Sequence, residues 1–151
     1  MLPLLMIIQT TTKLALAFLL GWPARLPPPD PAACGYDAFE PNDDRSHAHR
    51  LAGVLADGRL CAGDTDWYSV HLDRGERVRV GVLHDREALT DPPTVFPPRQ
   101  RRAVGLAYQA EGEVGTQLTA SVEGWYRIRV MSRSDEGLDY VLLVWPASLE
   151  P

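Results

Sequence analysis

The sequence predicts an all-β protein, an antiparallel β-sandwich of jelly-roll-like form, on the basis of three observations. Apolar and polar side chains alternate through residues 77–82 and 126–130, as in strands that have one buried and one solvated face. Gly and Asp separate apolar stretches at intervals of roughly ten to twenty residues. Thirteen prolines and twelve glycines in 151 residues favour many turns and short strands. The one helical segment expected is a turn near residues 46–51.

Further strands follow from local composition. The Gly63-Asp64 turn precedes an aromatic and β-branched run, which predicts a strand over about residues 67–72. The more continuous apolar run at 140–145 predicts a central strand covered on both faces. Two weaker strands are expected around residues 104–108 and 114–120, with Gly112 and Gly115 near the turn between them.

Residues 91–98 contain four prolines, and proline cannot donate to a central ladder. This segment therefore predicts either a distorted edge strand or a loop.

Residues 1–24 are predicted to be an export signal. Lys13 is followed by an apolar core at 14–22, about half of the roughly 20 residues that a membrane-spanning helix needs. An uncleaved N-terminal anchor is the alternative, and it would be the only contact with a membrane. Residues 25–33 are expected to form a Pro-rich spacer, residues 34–146 the domain and residues 147–151 a tail. The protein is accordingly expected to be secreted, periplasmic or at the cell surface.

Cys34 and Cys61 are the two cysteines, an even number in a chain that is predicted to be exported. An oxidising compartment favours a disulfide between them. The bridge would close a loop of roughly 28 residues and stabilise the fold by about 3–4 kcal/mol on the loop-entropy account. Two buried free thiols are the alternative, and a titration of the exported protein that finds two thiols would establish it.

Four sequence blocks carry a family resemblance: DAFEPND at 37–43, GDTDWYSV at 63–70, EGWYRIRV at 123–130 and GLDYVLLV at 137–144. Their order and spacing resemble the bacterial pre-peptidase C-terminal domain. This family is a β-sandwich found beside secreted proteases and related to the collagen-binding domains of clostridial collagenases. The chain departs from the family at 83–102, where a proline-rich segment replaces an aspartate-rich strand. The family's binding surface in that region is therefore not carried over.

Acidic and amide side chains crowd two loops, and the predicted bridge would bring these loops together. Calcium takes about six to eight oxygen ligands from such loops, and a cation would relieve the repulsion between carboxylates. In the collagen-binding relatives, matching positions hold calcium. The resemblance implies that calcium is bound by Glu40, Asn42, Asp43, Asp64 and Asp66, and less directly by Asp37. In the alternative interpretation Asn42 and Asp43 cap a turn, Asp66 accepts backbone hydrogen bonds, and no metal binds.

Charge and motifs restrict the function. The net charge of −5 argues against nucleic acid as a partner, because phosphate contacts need clustered Lys and Arg. The short basic cluster at 99–102 is interpreted as a solubilising loop. A processing site, or a contact with an anionic glycan, an acidic partner or a membrane headgroup, is the alternative. Trp67, Trp125 and Tyr126 are candidates for an exposed aromatic platform, although core packing is expected for at least two of them.

No catalytic motif is recognised. The chain has no Gly-x-Ser-x-Gly elbow, Cys61 is expected to be oxidised, and Asp64 and Asp66 are interpreted as structural rather than as a glycosidase pair. We therefore expect a non-catalytic exported module that binds a protein or polysaccharide surface or accompanies a secreted hydrolase. A structural or chaperone-like accessory role for a secreted peptidase is the alternative, and a small hydrolase is a third.

Overall fold

The computed structural model describes residues 35, 37–53, 55–84, 91–133 and 137–147, and they are mostly strand. A 3-10 turn, Arg45–His47, precedes the strands. The strands in these ranges are β1 (His49–Arg50), β2 (Leu55–Leu60), β3 (Thr65–Leu72), β4 (Arg77–Leu83), β5 (Thr94–Phe96), β6 (Leu106–Ala110), β7 (Glu113–Thr119), β8 (Gly124–Met131) and β9 (Leu138–Pro146). Within these same ranges, no helix has the length and apolar character needed to cross a bilayer.

The strands form two sheets, and the apolar core joins them. One sheet has four strands in the order β1-β3-β8-β5, and the other has five in the order β2-β9-β4-β7-β6. All the strand pairs are antiparallel except β1 with β3, which is parallel. The predicted antiparallel β-sandwich is confirmed, with this one parallel pair as an addition.

Alternating burial explains why these segments are strands. In β4, Val78, Val80 and Val82 are buried, and in β8 the side chains of Tyr126 and Ile128 have no exposed surface. Residues of period two share one face of a strand, so both segments place their apolar residues in the shared core. The predicted strands at 77–82 and 126–130 are thus confirmed.

β9 is central, as expected, but the prediction that it is covered on both faces is wrong. Leu142 and Val144 point into the core, whereas Val141 and Leu143 are only half-buried. The strand lies between β2 and β4 in the five-stranded sheet, whose outer face is partly open. Its apolar run therefore covers a half-exposed surface as well as the core.

The proline-rich segment contains β5, which pairs with β8 at the edge of the four-stranded sheet. Its three residues lie between the prolines on either side, and Val95 enters the core. The edge-strand alternative is correct. At a sheet edge, one side of the strand does not have to donate backbone N–H groups to a neighbouring strand, so prolines are tolerated there.

β2 was not predicted, because Asp57-Gly58 has the composition of a turn. In the structure Gly58 lies inside the strand, where the ring of Tyr140 packs over it. A Cβ at Gly58 would lie 2.4 Å from the Tyr140 Cζ. Gly112 lies in the turn between β6 and β7, and Gly115 lies close to it within β7, under the ring of Tyr108.

The predicted signal segment, the Pro-rich spacer and Cys34 lie outside the described residues. Cys61 follows β2, and its Sγ is 3.9 Å from the carbonyl oxygen of Gly35, the residue next to Cys34 along the chain. The disulfide stays a prediction that this proximity supports.

Candidate functional site

The acidic end of the sandwich is built from residues 37–43 and the turn between β2 and β3. The Trp67 N–H donates to the Asn42 carbonyl at 2.9 Å, which ties the first loop to the start of β3. In the turn, Asp64 accepts from the Thr65 N–H at 2.7 Å and from the Cys61 N–H at 3.3 Å. The first loop is therefore held by a backbone hydrogen bond, and the turn is held by the Asp64 carboxylate.

Three carboxylates meet at this end. Glu40, Asp43 and Asp64 each place one oxygen within 4.8 Å of the others. Burial raises the pKa of the Glu40 carboxyl, and the neighbouring charge of Asp43 adds to this effect. Burial and Asp43 also raise the pKa of Asp64, against the hydrogen bonds from Thr65 and Cys61. The cluster is thus short of positive charge, and either a proton or a cation would relieve it.

Asn42 and Asp66 lie beneath this cluster, and both are fully buried. When the amide nitrogen of Asn42 faces the carboxylates, it donates to Glu40 Oε2 at 3.1 Å and to Asp66 Oδ1 at 3.3 Å. Asn42 thereby links Glu40 of the cluster to the buried Asp66 through its two amide hydrogens.

The second oxygen of Asp66 joins a buried chain of hydroxyls. The Tyr140 hydroxyl donates to Asp66 Oδ2 at 2.5 Å, and the Tyr68 and Tyr140 hydroxyl oxygens are 2.6 Å apart. Burial raises the pKa of Asp66 to about 8, although the hydrogen bond from Tyr140 opposes the shift. Without a cation, Asp66 is therefore mostly protonated at neutral pH.

The structure brings together five of the residues that the sequence nominated, in two layers. Glu40, Asp43 and Asp64 form the outer layer, and Asn42 and Asp66 form the inner one. Asp37 has a different role: its carboxylate accepts from the Phe39 N–H at 2.8 Å and from the Arg59 N–H at 2.7 Å. These oxygen donors fit the hard ligand set that calcium prefers.

A hydrolytic role for Asp64 and Asp66 has little support from this geometry. Asp66 has no exposed surface and is hydrogen-bonded to Tyr140, so a glycosidic bond cannot reach it without unfolding of the site.

The aromatic residues are distributed differently from the prediction. Tyr126 is in the core, but Trp67 and Trp125 lie on the outer face of the four-stranded sheet, so the expectation of two core residues is wrong. The Trp67 ring packs against Phe96, with 5.6 Å between ring centres, and Trp125 is 37% exposed. The alternation of side chains in β3 and β8 could have predicted this outward orientation. Trp67 and Trp125 are each one residue before a buried tyrosine, so they lie on the opposite face of the strand.

The fold and the site define a class: a small antiparallel β-sandwich with an acidic end. One solved structure of this class is the pre-peptidase C-terminal domain of a collagenase from Bacillus anthracis. It matches with a TM-score of 0.55 and 19% identity, over 65% of this chain and 94% of that one. The fold that the sequence resemblance implied is confirmed; at this identity the match shows the fold alone.

Two periplasmic inhibitors of g-type lysozyme, from Salmonella Typhimurium and Aeromonas hydrophila, give a TM-score of 0.46 each. Their identities are 17% and 20%, over 65% and 62% of this chain and 97% and 88% of theirs. No protein-family model matches the chain, and no curated protein matches it.

Proposed function

We propose that this protein is an exported, non-catalytic module that binds a protein or polysaccharide surface outside the cytoplasm. The observation that carries the proposal is that the perturbed carboxyl group is buried, whereas the residues typical of recognition surfaces are exposed. Asp66, whose pKa burial raises to about 8, is sealed inside, whereas Trp125 and several arginines lie on one open sheet face. Exposed Trp and Arg are the residues that dominate recognition surfaces.

The test is retention of the purified protein on insoluble polymer and on surface material from the producing cells. We expect Trp125→Ala to reduce retention by at least about tenfold, since a Trp at a binding surface often contributes more than the equivalent free energy. Leu106→Ala is the matched control, because Leu106 is 79% exposed on β6 of the other sheet. Absence of retention of the unmodified protein would contradict the proposal.

A second candidate is an accessory role for a separately encoded secreted peptidase. Its support is the match to a domain of a collagenase. Stoichiometric recovery of a hydrolase from the secreted fraction would favour this role over surface binding. A small hydrolase would require activity on broad protease or glycosidase substrates that Asp66→Asn abolishes.

We also propose calcium as the ligand of the acidic end, with Glu40, Asp43 and Asp64 as outer ligands beside Asn42 and Asp66. Calcium at about one hundred times its Kd should add about 2.7 kcal/mol of stability. For a domain of this size this is a rise in Tm of roughly 10 °C. Thermal unfolding with calcium and with chelator measures it, and an unchanged Tm would remove calcium from the proposal.

The effect of Asp43→Asn on thermal stability should differ in sign between chelator and calcium. In chelator the variant should be as stable as the parent or more so, because it removes one of three crowded carboxylates. In calcium it should lose most of the rise in Tm, because a ligand charge is gone. Asp73→Asn, an exposed change in the turn before β4, should retain the full calcium response.

A further inference from the structure

Arginines converge on the outer face of the four-stranded sheet. Arg127 of β8 lies in register between Ser69 of β3 and Phe96 of β5. Arg50 of β1 is the partner of Ser69 on its other side. Arg45, from the 3-10 turn, holds its guanidinium carbon 5.0 Å from the centre of the Phe96 ring. Three positive charges therefore surround one row of the sheet.

These three arginines have no acidic partner within the described ranges. The ion pairs there join His47 to Asp44, Arg59 to Asp139 and Arg133 to Asp91. Burial lowers the pKa of Arg127, and the charges of Arg45 and Arg50 lower it further. Like charges held together without a counter-charge make a surface that attracts anions.

A groove of about 930 Å³ extends from this row. Two arginines of the basic cluster, Arg99 and Arg101, line it, whereas Arg102 of that cluster does not. Among the described residues that line it, Glu123 is the acidic one. The remaining lining includes Arg45, Pro97, Pro98, Trp125 and Arg127.

The groove is preorganised by contacts within the protein. The Arg45 Nη2 donates to the Gln100 carbonyl at 2.5 Å, and the Gln100 N–H donates to the Pro97 carbonyl at 3.2 Å. The Arg50 guanidinium carbon is 4.8 Å from the centre of the Trp125 ring, and the His71 ring meets that indole edge-on at 5.5 Å. Arg45 and the Trp125 indole are therefore held in place before any ligand arrives, which lowers the entropy cost of binding.

We propose that this groove binds an anionic polysaccharide, with its carboxylate or sulfate groups on the arginines and a sugar ring against Trp125. The inference rests on the proposed function and adds its ligand class and its site. Guanidinium groups form bidentate, charge-assisted hydrogen bonds with such anions. A groove of about 930 Å³ is at the upper end of the range for small-ligand sites, which is compatible with a short stretch of a polysaccharide.

Other polyanions fit the groove less well. Protein partners usually insert desolvated apolar anchors, and Trp125 is the single aromatic side chain among the lining residues described. Nucleic-acid binding rests on an extended track of Lys and Arg along the phosphate backbone, whereas here the arginines are confined to one groove of an acidic chain. A polysaccharide with carboxylate or sulfate groups presents anions beside the apolar faces of its sugar rings, which suits arginines that lie next to an indole.

The test is calorimetric titration of the full chain at low ionic strength with two matched pairs of polymers. Polygalacturonate is compared with its fully methyl-esterified form, and dextran sulfate with unsubstituted dextran. We expect binding to one or both anionic polymers, no binding to the neutral forms, and weaker binding as NaCl is raised. Arg101→Gln should lower affinity about tenfold, as expected for the loss of one charge-assisted contact. Arg77→Gln, an exposed change on β4 of the other sheet, should change affinity less than about twofold.

Three results would overturn the inference. The first is no binding to either anionic polymer, and the second is an equal loss of affinity from Arg101→Gln and Arg77→Gln. The third is binding of polyglutamate as tight as that of the polysaccharides, which would indicate an acidic protein instead. A failure of the groove assignment can be distinguished from a failure of the proposed function. If the surface material retains the unmodified protein and Arg101→Gln has no effect on this retention, the module binds by another route and only the groove assignment is lost.

Discussion

Asp66→Asn should raise the free energy of unfolding at pH 8 by a few kcal/mol in the presence of chelator, and should change it little at pH 4. Burial raises the pKa of Asp66 to about 8 in the folded protein, whereas an unfolded aspartate titrates near 4. Between these values the folded state holds a proton that the unfolded state has released. Stability that is present at low pH is therefore lost as the pH rises through this window, by up to about 1.4 kcal/mol per pH unit.

The substitution removes this cost because an amide does not ionise. Its oxygen still accepts from the Tyr140 hydroxyl, and the amide of Asn42 can turn to accept from the new amide nitrogen. Denaturant unfolding from pH 4 to pH 8 gives the slope for parent and variant. Asp57→Asn, an exposed change on β2, should leave the slope unchanged. A variant that is less stable than the parent at pH 8 in chelator would show that Asp66 is a stabilising anion there.

Gly58→Ala should destabilise the domain by about 3 kcal/mol or more, a large cost for a single methyl group. The new Cβ would lie 2.4 Å from both the Cζ and the hydroxyl oxygen of Tyr140. The ring cannot move aside easily, because Asp66 and Tyr68 hold its hydroxyl in the core. Overpacking of this kind costs about 1–3 kcal/mol, and loss of a buried hydrogen bond adds a comparable amount.

Two other glycines serve as controls for this prediction. In Gly115→Ala the new Cβ would lie 2.3 Å from the Cζ of Tyr108. Tyr108 is only half-buried and can move into solvent, so this substitution should destabilise the domain less than Gly58→Ala does. Gly53→Ala has open space around its Cβ and should stay within about 0.5 kcal/mol of the parent. Equal losses for all three variants in denaturant unfolding would contradict the role of Tyr140.

The sequence predicted the sandwich where burial alternates strictly, as in β4 and β8, because period two is a local property of the chain. It did not predict β2, because the reason for Gly58 lies 82 residues away in the ring of Tyr140. A turn-like dipeptide cannot be distinguished from a tightly packed strand by composition alone.

In the candidate sites, too, local sequence patterns predicted some residues, whereas others depend on the tertiary fold. The acidic residues were nominated from two short blocks, and the structure separates them into an outer group and an inner one that includes Asp66. The sequence nominated Arg99 and Arg101 as part of a basic cluster, but it did not indicate Arg45 or Arg127. These two reach the groove through the pairing of β8 with β5 and a contact with Phe96, which depend on the tertiary fold.

The short rim strands of the arginine-bearing sheet limit how copies of this protein meet. β1 has two residues and β5 has three, flanked by prolines, so neither offers a template on which another chain could extend the ladder. The two edges of the other sheet, β2 and β6, are six and five residues long, have no proline and expose Leu55 and Leu106. Fibrillar growth at high concentration should therefore begin at β2 or β6, which leaves the groove open even in a self-associated state.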